Sequence, residues 1–319
     1  MKFSIVITYY PPGKKPEVLD SIKKIDFPKK DYEILDLPGT GSPSIYRNKG
    51  ADKGKAKIIV FIDDDAIAHK DLLKNAEKFF KEHPETDIVG GPQLTPFDEK
   101  GFAKISGYAL SSKFGGWNTS SRYSKKKLNL NADDTYLTTA IMSCRKDVFK
   151  KIRLDEDLFP GEDSKFVKEA KEAGLKVAYC PDLIVYHRRR PTLKKFIKQI
   201  FSYGKVGTSR ESPAELIKRP FFLVPSLFLI YLADIILLGI ANPLLLRNIP
   251  GIFFGDFSLI SLFFVPLLLY LFLDLLFSIY ESLKNKNIFT AFPLFFIFPI
   301  LHLSYGAGML CGFFKREKK

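Results

Sequence analysis

Three long apolar stretches in the last third of the chain most constrain how it can fold. They cover residues 221–246, 258–280 and 288–314. Each exceeds the roughly 20 residues that a helix needs to cross the hydrocarbon core of a membrane. Helices this long and this apolar are unusual inside soluble proteins. We therefore predict an all-α transmembrane domain over residues 220–319.

The rest of the chain is polar and basic. The net charge is +14, and nearly all of it lies on residues 1–219. Such a charge suits nucleic acid, anionic lipid headgroups or an anionic substrate such as a nucleoside diphosphate. Because no zinc-finger, RNA-recognition or helix-turn-helix signature occurs, we predict membrane lipids and a nucleotide as partners and no nucleic acid. The three cysteines stand apart and no signal peptide is expected, which indicates a reducing compartment.

Residues 1–190 alternate strand-like runs with amphipathic segments. The strand-like runs are Phe3–Thr8, Tyr32–Leu37, Lys57–Ile62, Asp87–Val89, Lys176–Tyr179 and Leu183–Tyr186, and the helical segments lie near 15–26, 43–54, 70–82 and 162–174. This alternation predicts an α/β domain with a mostly parallel sheet and helices on both faces. Ligands of such sheets bind beyond the carboxyl ends of the strands.

Two further segments have weaker patterns. Residues 92–135 predict irregular structure over the site, in which Trp117 and Tyr123 are either stacking surfaces or partly buried aromatics of an exposed loop. Thr192–Val206 places apolar side chains on one helical face and lysines on the other, a pattern typical of a helix in the membrane interface. Packing on the α/β domain is the alternative. We assign residues 191–219 to this helix and a linker.

Three consecutive carboxylates, Asp63, Asp64 and Asp65, follow the strand-like run 57–62. Neighbouring carboxylates repel one another unless a positive charge compensates them. A divalent cation would do so, and oxygen ligands suit Mg²⁺ or Mn²⁺. Residues 63 and 65 can point to the same side of the chain. A solvated turn is the alternative interpretation.

Two other groups of residues can carry chemistry. Asp163 begins the helical segment 162–174, where it either caps the helix or acts as a general base on an acceptor hydroxyl. His187 follows the last strand-like run as a candidate metal ligand, and three arginines come directly after it. These arginines suit either a diphosphate or lipid headgroups.

In this order, the motifs resemble those of family 2 glycosyltransferases with the GT-A fold, of the membrane-attached, non-processive kind. The matching segments are Ser4–Tyr10 (opening strand), Arg47–Ala51 (helix before the Asp-x-Asp strand), Ile59–Asp65 (that strand and motif), Leu154–Asp163 (the segment ending in the family's catalytic base), Tyr186–Arg188 with Phe201–Gly207 (the approach to the membrane) and His302–Gly308 (last membrane helix of a subgroup related to exopolysaccharide glycosyltransferases). Two features depart from the family. The chain reads Asp36-Leu37-Pro38-Gly39 where the family usually has Asp-Asp-Gly-Ser after its second strand, so Asp36 is expected inside that strand, which puts its contact with the base in question. The absence of the processive Gln-x-x-Arg-Trp motif favours one sugar per acceptor.

The resemblance implies a metal-dependent, inverting transfer of one sugar from a nucleotide-sugar donor. Asp65 would bind Mn²⁺ or Mg²⁺, with Asp63 on the ribose or the metal's water and His187 as a further ligand. Asp163 would be the catalytic base. The implied donor-binding residues are Thr8, Tyr9, Asp36, Arg47, Asp63, Asp64 and Arg188, and Glu162 and Trp117 would lie on the acceptor side.

The membrane segments indicate that the acceptor is lipid-linked, because a soluble acceptor would not require them. The main alternative is a polyprenyl- or dolichyl-phosphate sugar synthase. A membrane nucleotidyltransferase and a non-catalytic nucleotide-sugar-binding scaffold are further alternatives, and the sequence is compatible with a homo-oligomer.

The predicted topology is that of an integral protein of the cell membrane with a cytosolic catalytic domain, since nucleotide sugars are made in the cytosol. Three crossings return the loop with Lys284 and Lys286 to the cytosol, as the positive-inside tendency requires. They also place the basic tail, Lys315–Lys319, outside. A re-entrant last stretch would bring the tail back, but we predict three crossings.

Overall fold

A computed structural model describes residues 1–9, 16–210, 213–241 and 262–315. This description leaves out Tyr10 of the Ser4–Tyr10 motif, residues 242–246 and 258–261 of the predicted apolar stretches, and tail residues 316–319. The chain divides into two compact units, Met1–Arg189 and Arg190–Lys319.

The first unit contains two β-sheets. Its strands are β1 (Phe3–Tyr9), β2 (Tyr32–Pro38), β3 (Ile58–Asp63), β4 (Ala66–Ala68), β5 (Ile88–Gly90), β6 (Gln93–Leu94), β7 (Ile141–Arg145), β8 (Val177–Tyr179) and β9 (Val185–His187). The larger sheet has the order β2-β1-β3-β7-β5-β8, and the smaller sheet has the order β4-β9-β6. Because β3 leads into β4 through two residues, the chain passes from one sheet to the other directly after the Asp63 position.

The larger sheet confirms the predicted α/β architecture with one correction. Strands β2, β1 and β3 are parallel, as are β5 and β8, but β7 runs antiparallel to both β3 and β5. The prediction did not include β7, which lies in the polar middle of the domain and carries Ser143 among its five residues. The sheet is therefore mixed.

Helices cover both faces of the larger sheet, as predicted. The helices of this unit are α1 (Val18–Ile22), α2 (Pro43–Lys53), α3 (Leu72–Glu82), α4 (Gly101–Ser111), α5 (Lys113–Gly116) and α6 (Glu162–Glu172). Alternate residues of β1 point to opposite faces, so that Ile5 joins a core cluster with α1 and α3, whereas Val6 joins one with α2 and α6. Burial on both faces explains why the sequences of β1 and β3 are almost uninterrupted apolar runs.

One local prediction was wrong, and another gave a helix that was too long. Residues 92–135 contain helices α4 and α5 and a 3₁₀ helix, Trp117–Arg122, rather than irregular structure alone. The predicted helix near 15–26 is confined to Val18–Ile22, since the chain forms turns after Ile22.

The second unit is entirely helical where it is described. Its helices are α7 (Leu193–Arg210), α8 (Pro213–Lys218), α9 (Val224–Ala241), α10 (Val265–Lys284) and α11 (Ala291–Phe314). Among the described residues, Val265–Lys284 and Ile288–Phe314 are long and apolar enough to cross a membrane, and the apolar Val224–Ile240 is shorter. The third crossing stays a prediction, because the first apolar stretch continues beyond the described residues. The last stretch forms one helix that continues through Pro299.

Helix α7 packs closely along α11. A Cβ added to Gly308 would lie 2.1 Å from the carbonyl oxygen of Phe201, and one added to Gly204 would lie 2.2 Å from that of Tyr305. Thr208 also donates its hydroxyl hydrogen to the carbonyl oxygen of Met309, at 2.8 Å. Small residues that allow close backbone approach are typical of membrane helix pairs. The amphipathic helix thus has a specific partner within its own unit.

Candidate active site

The carboxyl ends of the parallel strands meet at one edge of the larger sheet. Thr8 of β1 lies opposite Asp63 of β3 in the strand register, and Ile7 lies opposite Asp36 of β2. The sheet therefore brings three predicted site residues, distant in sequence, to the same edge, where ligands of such sheets bind.

Asp63, Asp65 and His187 form a cluster at the junction of the two sheets. His187 is the last residue of β9 and pairs with Ala66 of β4, which places its ring beside the carboxylates. Its Nε2 atom lies 3.1 Å from Asp65 Oδ1 and 3.5 Å from Asp63 Oδ2. One ligand atom from each residue falls within 4.8 Å of the others. The solvated-turn interpretation of the three aspartates does not explain this convergence.

The electrostatics of the cluster follow from these contacts. Burial alone would raise the pKa of Asp63, but the hydrogen bond from His187 and the charge of Arg47 lower it to about 2. Burial likewise opposes protonation of His187, yet its hydrogen bonds to the two carboxylates raise its pKa to about 9. Asp63 is therefore ionised at neutral pH.

The donor set fits a hard divalent cation. Two carboxylates and one imidazole combine oxygen and nitrogen ligands that Mn²⁺ and Mg²⁺ accept, and a cation bound here would displace the His187 proton. Asp65 is partly exposed, so one side of the cluster is accessible. The backbone of Asp64 contacts another part of the domain, since its carbonyl oxygen accepts a hydrogen bond from the Val18 amide at 3.1 Å.

Arg47 connects this cluster to the start of α6. The guanidinium is buried, and it donates to Asp63 Oδ1 at 2.9 Å and to Glu162 Oε1 at 2.8 Å. Burial opposes the positive charge of Arg47, but the nearby carboxylates of Asp63, Glu162 and Asp163 raise its pKa. The sequence suggested a donor-binding role for Arg47, and the structure shows a buried ion-pair bridge between the Asp63 cluster and Glu162. Burial and the charge of Asp163 raise the pKa of Glu162 to about 7, against the opposing effect of Arg47.

Asp163 lies in the first turn of α6 and is not its N-cap. Gly161 occupies the N-cap position, with a φ of 103° that favours glycine. The Ser164 amide donates to Asp163 Oδ1 at 2.7 Å, which fixes the carboxylate. Asp163 thus accepts a hydrogen bond from an amide of the first helical turn, and its negative charge interacts favourably with the helix dipole. The structure agrees with the helix-terminus alternative, and the general-base role stays a prediction.

Two supporting residues were not identified as such from the sequence. Asn48 exchanges hydrogen bonds with the backbone of Leu154 and also donates to Glu156 Oε1 at 2.9 Å. Arg122 donates to the backbone of the 134–135 segment and to Ser164 Oγ at 3.1 Å. Both side chains anchor the segment that carries Glu162 and Asp163. Asn48 could have been suspected from its place in the family motif, but nothing local marks Arg122.

The remaining predicted donor-binding residues are distributed along the edge. Tyr9 hydrogen-bonds Asp36 through its hydroxyl, and burial and this carboxylate raise the pKa of Tyr9. Asp36 lies inside β2, as the departure from the family motif suggested. Arg188 pairs with Glu17 at 3.4 Å and Asp98 at 3.2 Å. Its role in donor binding stays a prediction, since these partners lie outside the Asp63 cluster.

Arg189 and Arg190, which follow Arg188 in the sequence, differ in exposure. Arg189 is buried and holds Gln93 and Thr95 by hydrogen bonds, with its guanidinium 4.8 Å from the centre of the Tyr123 ring. Tyr123 is therefore partly buried against Arg189. Arg190 is exposed. Trp117, the other predicted stacking surface, is 57% exposed.

The sequence profile described as glycosyltransferase like family 2 matches residues 5–202, which is more than half of the chain. The protein belongs to this family. It is therefore a glycosyltransferase, and the sequence-based resemblance is confirmed.

Two relatives and one solved structure are similar to this chain. The O-antigen chain rhamnosyltransferase RfbN of Salmonella typhimurium is 26% identical over 231 residues, or 64% of this chain and 72% of RfbN. The dolichyl N-acetyl-alpha-D-glucosaminyl phosphate 3-beta-D-2,3-diacetamido-2,3-dideoxy-beta-D-glucuronosyltransferase of Methanococcus voltae is 24% identical over 251 residues, or 67% of this chain and 74% of that protein.

The mannosyltransferase PcManGT from Pyrobaculum calidifontis, solved in complex with GDP-Man and Mn²⁺, superimposes with a TM-score of 0.56 at 13% identity. The match covers 99% of this chain and 88% of that one. At this identity the comparison shows the fold, and it agrees with the GT-A architecture predicted from the sequence.

Proposed function

We propose that this enzyme transfers one sugar from a nucleoside-diphosphate sugar to a lipid-linked acceptor, by a single inverting displacement that depends on Mn²⁺ or Mg²⁺. The observation that carries the proposal is the convergence of Asp63, Asp65 and His187 at the strand edge. Through Arg47, this cluster is connected to the turn of α6 that presents Asp163.

On the donor side, Asp65, His187 and Asp63 would hold the cation. When bound, the cation neutralises charge that develops on the departing nucleoside diphosphate. Thr8, Tyr9 and Asp36 would line the nucleoside pocket, because they lie at the same strand edge. The role of Arg47 is to hold Asp63 Oδ1, which leaves Oδ2 directed to the His187 side.

On the acceptor side, Asp163 would take the proton of the attacking hydroxyl. The Ser164 amide already occupies Asp163 Oδ1, so the carboxylate is oriented before substrate arrives. Glu162 is bound to Arg47 at 2.8 Å and is the less suited of the two carboxylates to accept that proton. Its negative charge supports the bridge that positions Asp163.

A lipid-linked acceptor is supported by the second unit and by the relatives. Two helices, Val265–Lys284 and Ile288–Phe314, are of membrane-crossing length and composition. Helix α7 is amphipathic, with lysines beside buried Phe196 and Ile200. The Methanococcus relative is named for a dolichyl-linked sugar substrate. An enzyme working at the membrane surface on a lipid-linked substrate accounts for all three observations.

The proposal is tested by mass analysis of lipid products after membranes containing the enzyme are incubated with a panel of nucleotide sugars. We expect a lipid product with the wild type, its loss in excess chelator, and its return with Mn²⁺ or Mg²⁺. Asp65→Asn should abolish the product. Asp147→Asn should not, because Asp147 is exposed and pairs only with neighbouring Lys150 among its described contacts. Full activity in excess chelator would exclude the metal-dependent mechanism.

A further inference from the structure

The first turn of α6 carries the proposed base and has no side-chain cap. Its N-cap residue is Gly161, which has no side chain to accept a hydrogen bond from the turn. The first backbone amides of a helix have no partners within the helix, so such a turn is held in place by contacts with other parts of the domain. The direction of Asp163, which lies in this turn, depends on those contacts.

Two arginine side chains hold the sequence neighbours of Asp163. Arg47 donates to Glu162 Oε1 at 2.8 Å, and Arg122 donates to Ser164 Oγ at 3.1 Å. Successive residues of an α-helix are about 100° apart around the axis, because one turn contains about 3.6 residues. The two contacts therefore lie about 200° apart, on nearly opposite sides of the helix. Together they oppose rotation of the turn in both directions.

The guanidinium of Arg122 is itself attached to the larger sheet. It donates to the carbonyl oxygens of Asp134 and Thr135. These residues belong to a turn in which the Asp133 carboxylate accepts hydrogen bonds from the amide and the hydroxyl of Thr135, at 2.9 Å and 2.5 Å. The Ala132 amide, just before this turn, donates to the carbonyl oxygen of the first residue of β8 at 3.0 Å. Because arginine presents its N–H donors in a planar fork, Arg122 can connect the start of α6 to this turn in one defined geometry.

A small rotation of the first turn of α6 is enough to misplace the proposed base. The Asp163 Oδ1 atom accepts a hydrogen bond from the Ser164 amide, so the carboxylate moves together with the turn. An α-helix with its side chains is about 10–12 Å across, which places a carboxylate about 5 Å from the axis. A rotation of about 10° then moves the carboxylate by about 1 Å. A displacement of about 1 Å can lower the rate of a catalysed reaction by about 10²-fold.

We propose that Arg122 is a positioning residue for sugar transfer, which sets the direction of Asp163 through its hydrogen bond to Ser164. The inference rests on the proposed function, in which Asp163 takes the proton of the acceptor hydroxyl. In this role Arg122 acts through the base and not through contact with a substrate. Loss of Arg122 therefore lowers the rate of the chemical step and leaves the binding of donor and acceptor intact.

The first test measures transfer by the full-length enzyme in membranes, as product formed from a labelled nucleotide sugar per molecule of enzyme. Arg122→Met keeps most of the side-chain volume and removes the hydrogen bonds to Ser164, Asp134 and Thr135. The kcat of this variant should fall by about tenfold to 10²-fold, with the KM values for donor and acceptor unchanged. Wild-type kcat in Arg122→Met would overturn the inference.

Lys171→Met is the matched control, because Lys171 also attaches α6 to the segment that precedes the turn. Its Nζ atom donates to Asn131 Oδ1 at 2.7 Å and to the Ala132 carbonyl oxygen at 3.1 Å. Residue 171 lies about 12 Å along the helix from residue 163, at a rise of about 1.5 Å per residue. This variant should retain wild-type kcat. An equal fall of kcat in Lys171→Met and Arg122→Met would overturn the inference, since the general anchoring of α6 would then explain both losses.

A double-mutant cycle tests whether Arg122 acts through Asp163. Asp163→Asn should lower kcat by about 10²-fold or more, and the added change Arg122→Met should then cause little further loss, because residues that act as a unit are not additive. A further loss as large as in the wild-type background would overturn the inference. Wild-type turnover in Asp163→Asn would refute the proposed base itself, and the inference would fail with it.

Ser164→Ala tests the same connection if Arg122→Met does not fold. Alanine is favourable within a helix, and this change removes the acceptor of the Arg122 hydrogen bond while it retains the Ser164 amide that donates to Asp163. The kcat should fall by about threefold or more, the effect of losing one hydrogen bond, with both KM values unchanged. An unchanged kcat in a folded Ser164→Ala enzyme would overturn the inference.

Discussion

Replacement of Arg47 by methionine tests whether the buried ion pairs of Arg47 with Asp63 and Glu162 stabilise the domain Met1–Arg189 against unfolding. Methionine keeps most of the side-chain volume but removes both charged hydrogen bonds, at 2.8 Å to Glu162 and 2.9 Å to Asp63. Asp63 keeps His187 as a partner at 3.5 Å, whereas Glu162 is only 4% exposed. The main cost therefore comes from Glu162, which loses its Arg47 partner and must either stay buried as an unpaired carboxylate or take up a proton.

The expected loss is about 3 kcal/mol, the lower end for removing one partner of a buried ion pair. The lower end applies because Asp63 keeps a partner. For a domain the size of Met1–Arg189, this loss corresponds to a fall in Tm of about 6–12 °C. Arg153→Met is the matched control, since Arg153 makes a bidentate pair with Asp52 on the surface. Exposed pairs contribute less than about 1 kcal/mol, so its Tm should fall by no more than about 4 °C.

The assay is thermal unfolding followed by the fluorescence of Trp117, which reports on this domain alone, in the presence of a chelator. The pH dependence supplies a second readout. The pKa of Glu162 in the folded protein, about 7, is above its ordinary value of 4.5. The folded state therefore binds the extra proton, and stability is lost as pH rises from about 4.5 through 7.

Without Arg47, the pKa of Glu162 in the folded protein rises further above about 7. The variant therefore keeps losing stability at pH values where the wild type has stopped, and the deficit of Arg47→Met should grow as pH rises above about 7. The added change Glu162→Gln should remove that growth. Equal losses of Tm for Arg47→Met and Arg153→Met at every pH would refute the reasoning.

Three other predictions follow from the structure and the sequence. Asp163→Asn should lower turnover by about 10²-fold or more, the usual scale of general base catalysis, with little change in donor KM; loss of donor affinity at unchanged turnover would assign the residue to donor binding instead. Gly308→Leu should prevent the close packing of α7 on α11, because even a Cβ at this position would lie 2.1 Å from the Phe201 carbonyl oxygen. The yield and the Tm of this variant should fall. Leu303→Ala should have a smaller effect on that packing. A cysteine placed after Lys319 should react with an impermeant reagent in intact cells if the chain crosses the membrane three times, and protection of that cysteine would overturn this count.

The sequence predicted those parts of the site that depend on local order along the chain. Strand β3 is an apolar run that ends at Asp63, and Asp65 follows in the two-residue turn that leads to β4. His187 similarly ends the last strand of the domain. Such residues are recognisable because the strand that positions them and the chemistry they carry are adjacent in sequence.

Features that depend on contacts distant in sequence were not predictable in this way. Arg47 precedes Glu162 by 115 residues, and no local pattern distinguishes a buried bridge from a residue that contacts the donor. Arg122 belongs to a short 3₁₀ element in a polar segment with no periodicity. Strand β7 was missed because its place between β3 and β5 depends on pairing with both neighbours rather than on its own sequence.

The charges of the site show why a buried arginine is needed beside the proposed metal ligands. Three carboxylates, Asp63, Asp65 and Glu162, converge at the strand edge and the start of α6, and their mutual repulsion would otherwise separate these elements. Arg47 draws Asp63 and Glu162 toward one guanidinium, while His187 lies against Asp63 and Asp65. Arg47 and the protonated form of His187 therefore supply the positive charge that these carboxylates need, until a cation replaces the His187 proton. On this reasoning, the distance between the donor-side ligands and the proposed base is a property of the folded chain, set by Arg47 before either substrate binds.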